Sequence, residues 1–97
     1  MTDDRANGAI VRELKILNKK GLHARASAKF VQCVDRFEAE VCVLKDGQSV
    51  SGTSIMGLMM LAAGIGSFIE VRAAGREALD AIEAIAALVN DRFGEGE

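Results

Sequence analysis

Residues 40–50 read Glu40-Val41-Cys42-Val43-Leu44-Lys45-Asp46-Gly47-Gln48-Ser49-Val50. A short run rich in β-branched residues is followed by Asp46-Gly47 and then by a second short run. The favoured two-residue hairpin loops need positive φ at their centre, which Asp and Gly tolerate best, so the segment predicts a β-hairpin. The flanking segments give the rest of the order. Downstream, Ser51 to Ser54 offers helix-capping candidates before the apolar run Ile55 to Ala63, and Gly64 and Gly66 end that helix. Ser67 to Ala73 alternates, with Ile69, Val71 and Ala73 against Glu70 and Arg72, as a half-buried strand does. Gly75 turns the chain into a last helix, whose stripe is Ala78, Ile82, Ile85, Ala86, Val89 and Phe93, and Gly94 stops it. Upstream, Ala26, Phe30, Cys33, Val34 and Phe37 share one face of a helix over Ala24 to Phe37. Asn18-Lys19-Lys20-Gly21 is a loop, and Ala9 to Leu17 is a strand.

The order is β-α-β-β-α-β-α. Four strands with three interleaved helices imply an α+β domain whose sheet is antiparallel or mixed, with its helices on one face. Residues 1–8 read as a flexible polar tail, 9–93 as a single domain and 94–97 as a C-terminal tail. At 97 residues the chain suits one domain, and 49% apolar residues argue against disorder.

Composition removes several function classes. A formal net charge of −2, with both signs mixed along the chain, argues against nucleic acid as the main partner, because a phosphate backbone needs a basic patch. The four aromatic residues are all Phe, too few for a base-stacking platform. Cys33 and Cys42 form no metal-ligand spacing, and with a single His a zinc site lacks ligands. Two reduced thiols are expected, with no metal and no cofactor. The N-terminus lacks the apolar stretch of a secretory signal, and Ile55 to Ile65 is too short and Gly-interrupted to span a bilayer. A cytoplasmic protein without membrane insertion is expected.

The chemistry concentrates at Gly21-Leu22-His23-Ala24-Arg25, where the first loop becomes the first helix. The first backbone N–H groups of a helix have no intrahelical acceptor and carry the positive end of its dipole. An anion placed there meets donors already aimed at it. Gly21 allows an unusual turn, Arg25 brings a planar permanent cation, and Ser27 offers a hydroxyl or a first-turn amide. Imidazole can carry a phosphoryl group, because its neutral nitrogen is a nucleophile near neutral pH. No P-loop or metal-binding carboxylate cluster accompanies it, which excludes a nucleotide-using kinase. The plain alternative is an ordinary histidine at a helix start beside a solvated arginine.

Gly21-Leu22-His23-Ala24-Arg25-Ala26-Ser27 resembles the active-site motif of the HPr family, the histidine-containing phosphocarriers of the bacterial phosphoenolpyruvate-dependent phosphotransferase system. Ser51-Gly52-Thr53-Ser54-Ile55-Met56-Gly57-Leu58 resembles that family's regulatory-serine motif. The two lie at the family's separation and in its element order, and the resemblance covers roughly residues 9–93. It implies an open-faced β-sandwich, a four-stranded antiparallel sheet covered on one face by three helices. It implies that His23 accepts a phosphoryl group on Nδ1 from phosphorylated enzyme I, forming phosphohistidine, and passes it to enzyme IIA domains. Arg25 would then stabilise the phosphate. Ser54 would be the regulatory site, addressed in some lineages by HPr kinase/phosphorylase. Leu22, Ser27, Ile55, Met56 and Met59 would form the partner-docking patch.

Two positions depart from the family pattern: Ala26 replaces a usual proline and Thr53 a frequent lysine. The chain would be a stoichiometric carrier and not an independent catalyst, working as a monomer in sugar transport or in a nitrogen- and potassium-linked branch. The alternative is a regulatory binding module of the nitrogen-related or carbon-control branch, acting mainly through phosphorylation-dependent protein contacts.

Overall fold

The computed structural model describes residues 9–96, so the tail expected over residues 1–8 lies outside it. Strands β1 (Ile10–Lys15), β2 (Glu40–Lys45), β3 (Gln48–Ser51) and β4 (Phe68–Ala74) form one sheet in the order β1-β4-β2-β3. All three pairings are antiparallel, which resolves the choice between an antiparallel and a mixed sheet. The hairpin closes as its dipeptide requires: Lys45 pairs with Gln48, and Asp46 and Gly47 take φ of 51° and 82°.

Helices α1 (Ala24–Val34), α2 (Ile55–Met60) and α3 (Ala78–Asn90) cover one face. Leu14, Val41, Val43, Ile69, Val71 and Ala73 point at them from the sheet and are buried, while their neighbours along each strand are not. Sheet side chains alternate between faces, so a one-residue slip would expose this whole set; burial therefore fixes the register. Phe30, Val34, Leu58, Ile82, Ile85 and Val89 supply the helical side of the core.

Three element ends differ from the periodicity. Helix α1 stops at Val34, because Arg36 and Phe37 donate their amides three residues back, to Cys33 and Val34, in a tightening final turn. Phe37 then packs against the core from outside the helix. Helix α2 ends at Met60 although the apolar run continues to Ala63; the next turn tightens and Ala62 takes φ +53°. Helix α3 ends at Asn90, and Phe93 reaches the core from a separate short turn, Arg92–Gly94. Among the described residues, no helix is long and apolar enough to cross a membrane.

Candidate functional site

The loop ahead of α1 is built around Gly21. Its amide donates to the Asn18 carbonyl at 3.2 Å, and the Asn18 side-chain amide donates to the Gly21 carbonyl at 2.8 Å. Gly21 sits at φ +65°, and a β-carbon there would lie 2.3 Å from the Ala63 carbonyl oxygen, so only glycine fits. The Leu22 amide donates to that same oxygen at 2.9 Å, tying the loop to the segment that follows α2.

His23 is therefore delivered as the N-cap of α1, with extended backbone (φ −75°, ψ −178°). Its carbonyl accepts from the Ser27 amide at 2.8 Å, the first bond of the helix. The amides of Ala24, Arg25 and Ala26 come before that bond and have no intrahelical acceptor. The His23 side chain does not cap the helix; Ala24 and Arg25 are exposed beside the ring, whereas Ala26 is fully buried. A groove of about 520 Å³ opens here, bordered by His23, Arg25, Lys20, Lys29 and Glu95 among others. Arg25 is exposed at its rim and has no side-chain partner among the described residues. Three cations and a helix N-terminus around one imidazole make the groove a place where an anion is favoured.

Glu95 was not singled out in the sequence, yet its Oε2 lies 2.5 Å from His23 Nε2. Its Oε1 accepts from the Asn18 side-chain amide at 3.0 Å. Burial alone would push the Glu95 carboxyl up; the hydrogen bonds from His23 and Asn18, with the charges of His23 and Lys29, outweigh it and hold the group below its ordinary value. An ionised carboxylate only accepts, so the 2.5 Å contact places a proton on Nε2. His23 Nδ1 has no partner among the described residues.

The C-terminal turn is bent to bring Glu95 in. Arg92 and Phe93 both take left-handed backbone, φ 55° and 54°, at a cost of about 1 kcal/mol or more each. Two contacts over-determine the bend. The Phe93 ring is fully buried, and Lys29 Nζ donates to its carbonyl at 2.6 Å.

The residues grouped as a docking patch divide. Ile55, Met56 and Met59 are exposed on α2, Met56 at 70%, and Met60 joins them at 72%. Leu22 and Ser27 do not belong with them. Leu22 is 5% exposed and part of the core, and Ser27 is fully buried. Ser27 is also spent: its amide serves His23 and its hydroxyl donates to the Leu22 carbonyl at 3.2 Å, so it offers an anion neither group. Ser54 is the N-cap of α2, half-buried, its Oγ accepting from the Gly57 amide at 2.9 Å. Thr53 just before it is exposed and shares a hydroxyl contact with Ser51 at 2.8 Å. Cys33 and Cys42 are free thiols, and burial pushes the Cys33 thiol up despite Arg36. Among the described residues, no group of three or more His, Cys, Asp or Glu could hold a metal ion.

Comparison with known proteins bears on this arrangement. Residues 10–91 match the family model described as "PTS HPr component phosphorylation site". The phosphocarrier protein HPr of Neisseria meningitidis serogroup A is 50% identical over 86 residues, 89% of this chain and 97% of its own. The crystal structure of a phosphocarrier protein HPr from Bacillus anthracis superposes with a TM-score of 0.82 at 43% identity, covering 86% of this chain and 99% of that one. An HPr dimer from Thermoanaerobacter tengcongensis superposes at 0.72 with 40% identity, covering 84% and 94%.

Proposed function

This chain belongs to the HPr family, the phosphocarrier proteins of the phosphotransferase system, and from that premise we propose that His23 is its phosphoryl-carrying residue. His23 Nδ1 takes the group from phosphorylated enzyme I and gives it up to enzyme IIA domains. The observation that carries this reading is His23 Nδ1, without a partner among the described residues, at the N-terminus of α1 in a groove bordered by Arg25, Lys20 and Lys29. The amides of Ala24 and Arg25, both exposed at the start of α1, and the Arg25 guanidinium are available to the phosphoryl oxygens. In this reading the chain is a stoichiometric relay between two proteins rather than an enzyme. The exposed apolar face of α2 is the docking surface, since flexible methionines fit successive partners of different shape. The carrier acts in the cytoplasm as a monomer.

The test is to incubate the protein with phosphoenolpyruvate, magnesium and enzyme I and to measure acid-labile phosphate. One equivalent is expected on the wild type and none on His23→Ala. Equal labelling of both would remove His23 from the role.

Ser54 supplies the regulatory half of the proposal, as a substrate for HPr kinase/phosphorylase. A phosphoserine adds about −1.5 to −2 charges, and at an N-cap these face helix donors, so the fold is retained. The charge acts instead on docking through the adjacent Ile55 and Met56. Phosphorylated Ser54 is expected to slow transfer to His23 while circular dichroism stays unchanged.

A further inference from the structure

Resting on that reading of His23, the geometry points to a further role for two residues. Glu95, backed by Asn18, holds the His23 imidazole with its proton on Nε2 and balances the positive charge that the ring acquires when Nδ1 takes a phosphoryl group. Both would be positioning residues, acting through the imidazole and not on the phosphoryl group.

The chain of contacts is continuous. Asn18 Nδ2 donates to Glu95 Oε1 at 3.0 Å, and His23 Nε2 donates to Glu95 Oε2 at 2.5 Å. Asn18 is itself anchored, because its amide donates also to the Gly21 carbonyl at 2.8 Å. With both donors spent on acceptors, its orientation is set; turning the amide over would bring oxygen against oxygen at each contact. The molecule keeps this orientation even though Asn18 Oδ1, fully buried, has no partner among the described residues. The Glu95 side is over-determined as well, by the buried Phe93 ring and by Lys29 holding the Phe93 carbonyl across a left-handed turn. Strain of this kind persists where the surroundings enforce a functional geometry.

The chemistry follows from which nitrogen carries the proton. With Nε2–H donated to a carboxylate, the lone pair of a neutral ring is on Nδ1. In the transfer, that lone pair forms the N–P bond. The bond between phosphorus and the donor's leaving atom breaks, and its electron pair stays with the donor. The Nε2 proton remains, so the ring becomes cationic with a carboxylate in contact. A histidine backed by an acidic residue is oriented and charge-balanced in the same way in hydrolase triads. Glu95 also repels the phosphoryl oxygens. That repulsion acts across the ring, and Arg25 and the α1 amides oppose it; the attraction acts at 2.5 Å, and at such different separations the nearer term decides.

The experiment uses the full chain and two variants, Glu95→Gln and Glu95→Ala, each checked by its backbone amide spectrum. In wild-type protein labelled with ¹⁵N in the imidazole, the Nε2–H proton is expected as a low-field signal in slow exchange with water, and Glu95→Ala loses it. In phosphotransfer with phosphorylated enzyme I, Glu95→Gln shifts the equilibrium back toward the donor by about tenfold, by analogy with the lower end of the loss when the hydrogen-bonded partner of a metal-bound histidine is removed. A packing role for Glu95 would leave that equilibrium in place once both variants are folded. An unchanged equilibrium in Glu95→Gln, or a wild-type ring whose proton resides on Nδ1, overturns the proposal. If the wild type itself takes up no phosphoryl group, the phosphocarrier reading of His23 fails, whereas the position of the ring proton still decides the contact to Glu95.

Discussion

Gly21 holds φ +65°, and a β-carbon there would lie 2.3 Å from the carbonyl oxygen that the Leu22 amide needs. Gly21→Ala should therefore incur backbone strain and lose that bond together, about 2 kcal/mol or more. For a domain of this size the expected fall in Tm is about 10 °C. A thermal midpoint within about 2 °C of wild type would show that the loop can move away from Ala63. Glu95 gives a pH-dependent counterpart. Its carboxyl is held below the ordinary value of 4.5, so its contribution to stability is present above that value and is lost as pH falls through the folded-state value. Glu95→Gln mimics the protonated side chain. Urea unfolding across a pH series should show a wild-type advantage that holds down to about pH 4.5 and narrows below it. An advantage that stayed constant or grew on acidification would contradict the contact with His23.

At the scale of elements, α2 is the informative case. Six residues are too few for a helix to stand alone, so its surroundings hold it. Ser54 caps one end, and Leu58, fully buried, plugs the middle. Ile55 and Met59 are partly exposed, whereas Met56 and Met60 face mostly outward and add little to stability. Met56→Glu should leave Tm within about 2 °C of wild type while reducing the rate of phosphoryl transfer from enzyme I several-fold. Equal rates would place docking elsewhere. The same helix shows why element ends were harder to read than element types. The apolar run continues to Ala63, and Gly64 is the visible stop, but Ala62 turns left-handed first. No residue type marks that turn; it follows from the Ala63 carbonyl being needed by Leu22, a long-range demand. Phe93 is similar. Its spacing continues the α3 stripe, and its ring does reach the core, but from the turn that carries Glu95. The strand alternation and the Asp46-Gly47 loop were legible because they depend on near neighbours.

At the scale of the molecule, the site joins both ends of the described chain. The Gly21 to Arg25 loop was readable locally, whereas the Glu95 to His23 contact spans 72 positions and has no periodic trace. The described residues form a compact body with a Cα radius of gyration of 12.4 Å. On the proposed function, the His23 groove and the α2 face must be shown to two partners in turn, so neither can be covered by a second copy for long. Among the described residues, the sheet edges β1 and β3 have no further strand beside them, and chains could associate there. Small-angle scattering at the concentration of the transfer assay should therefore give about 13 Å, whereas a side-by-side dimer of bodies with these extents would give about 16 Å or more. The value should not change on dilution, and the transfer rate per molecule should be independent of carrier concentration below saturation. A radius that rises with concentration while the rate per molecule falls would mean that copies occlude one another's docking face, and the proposal of a working monomer would fail.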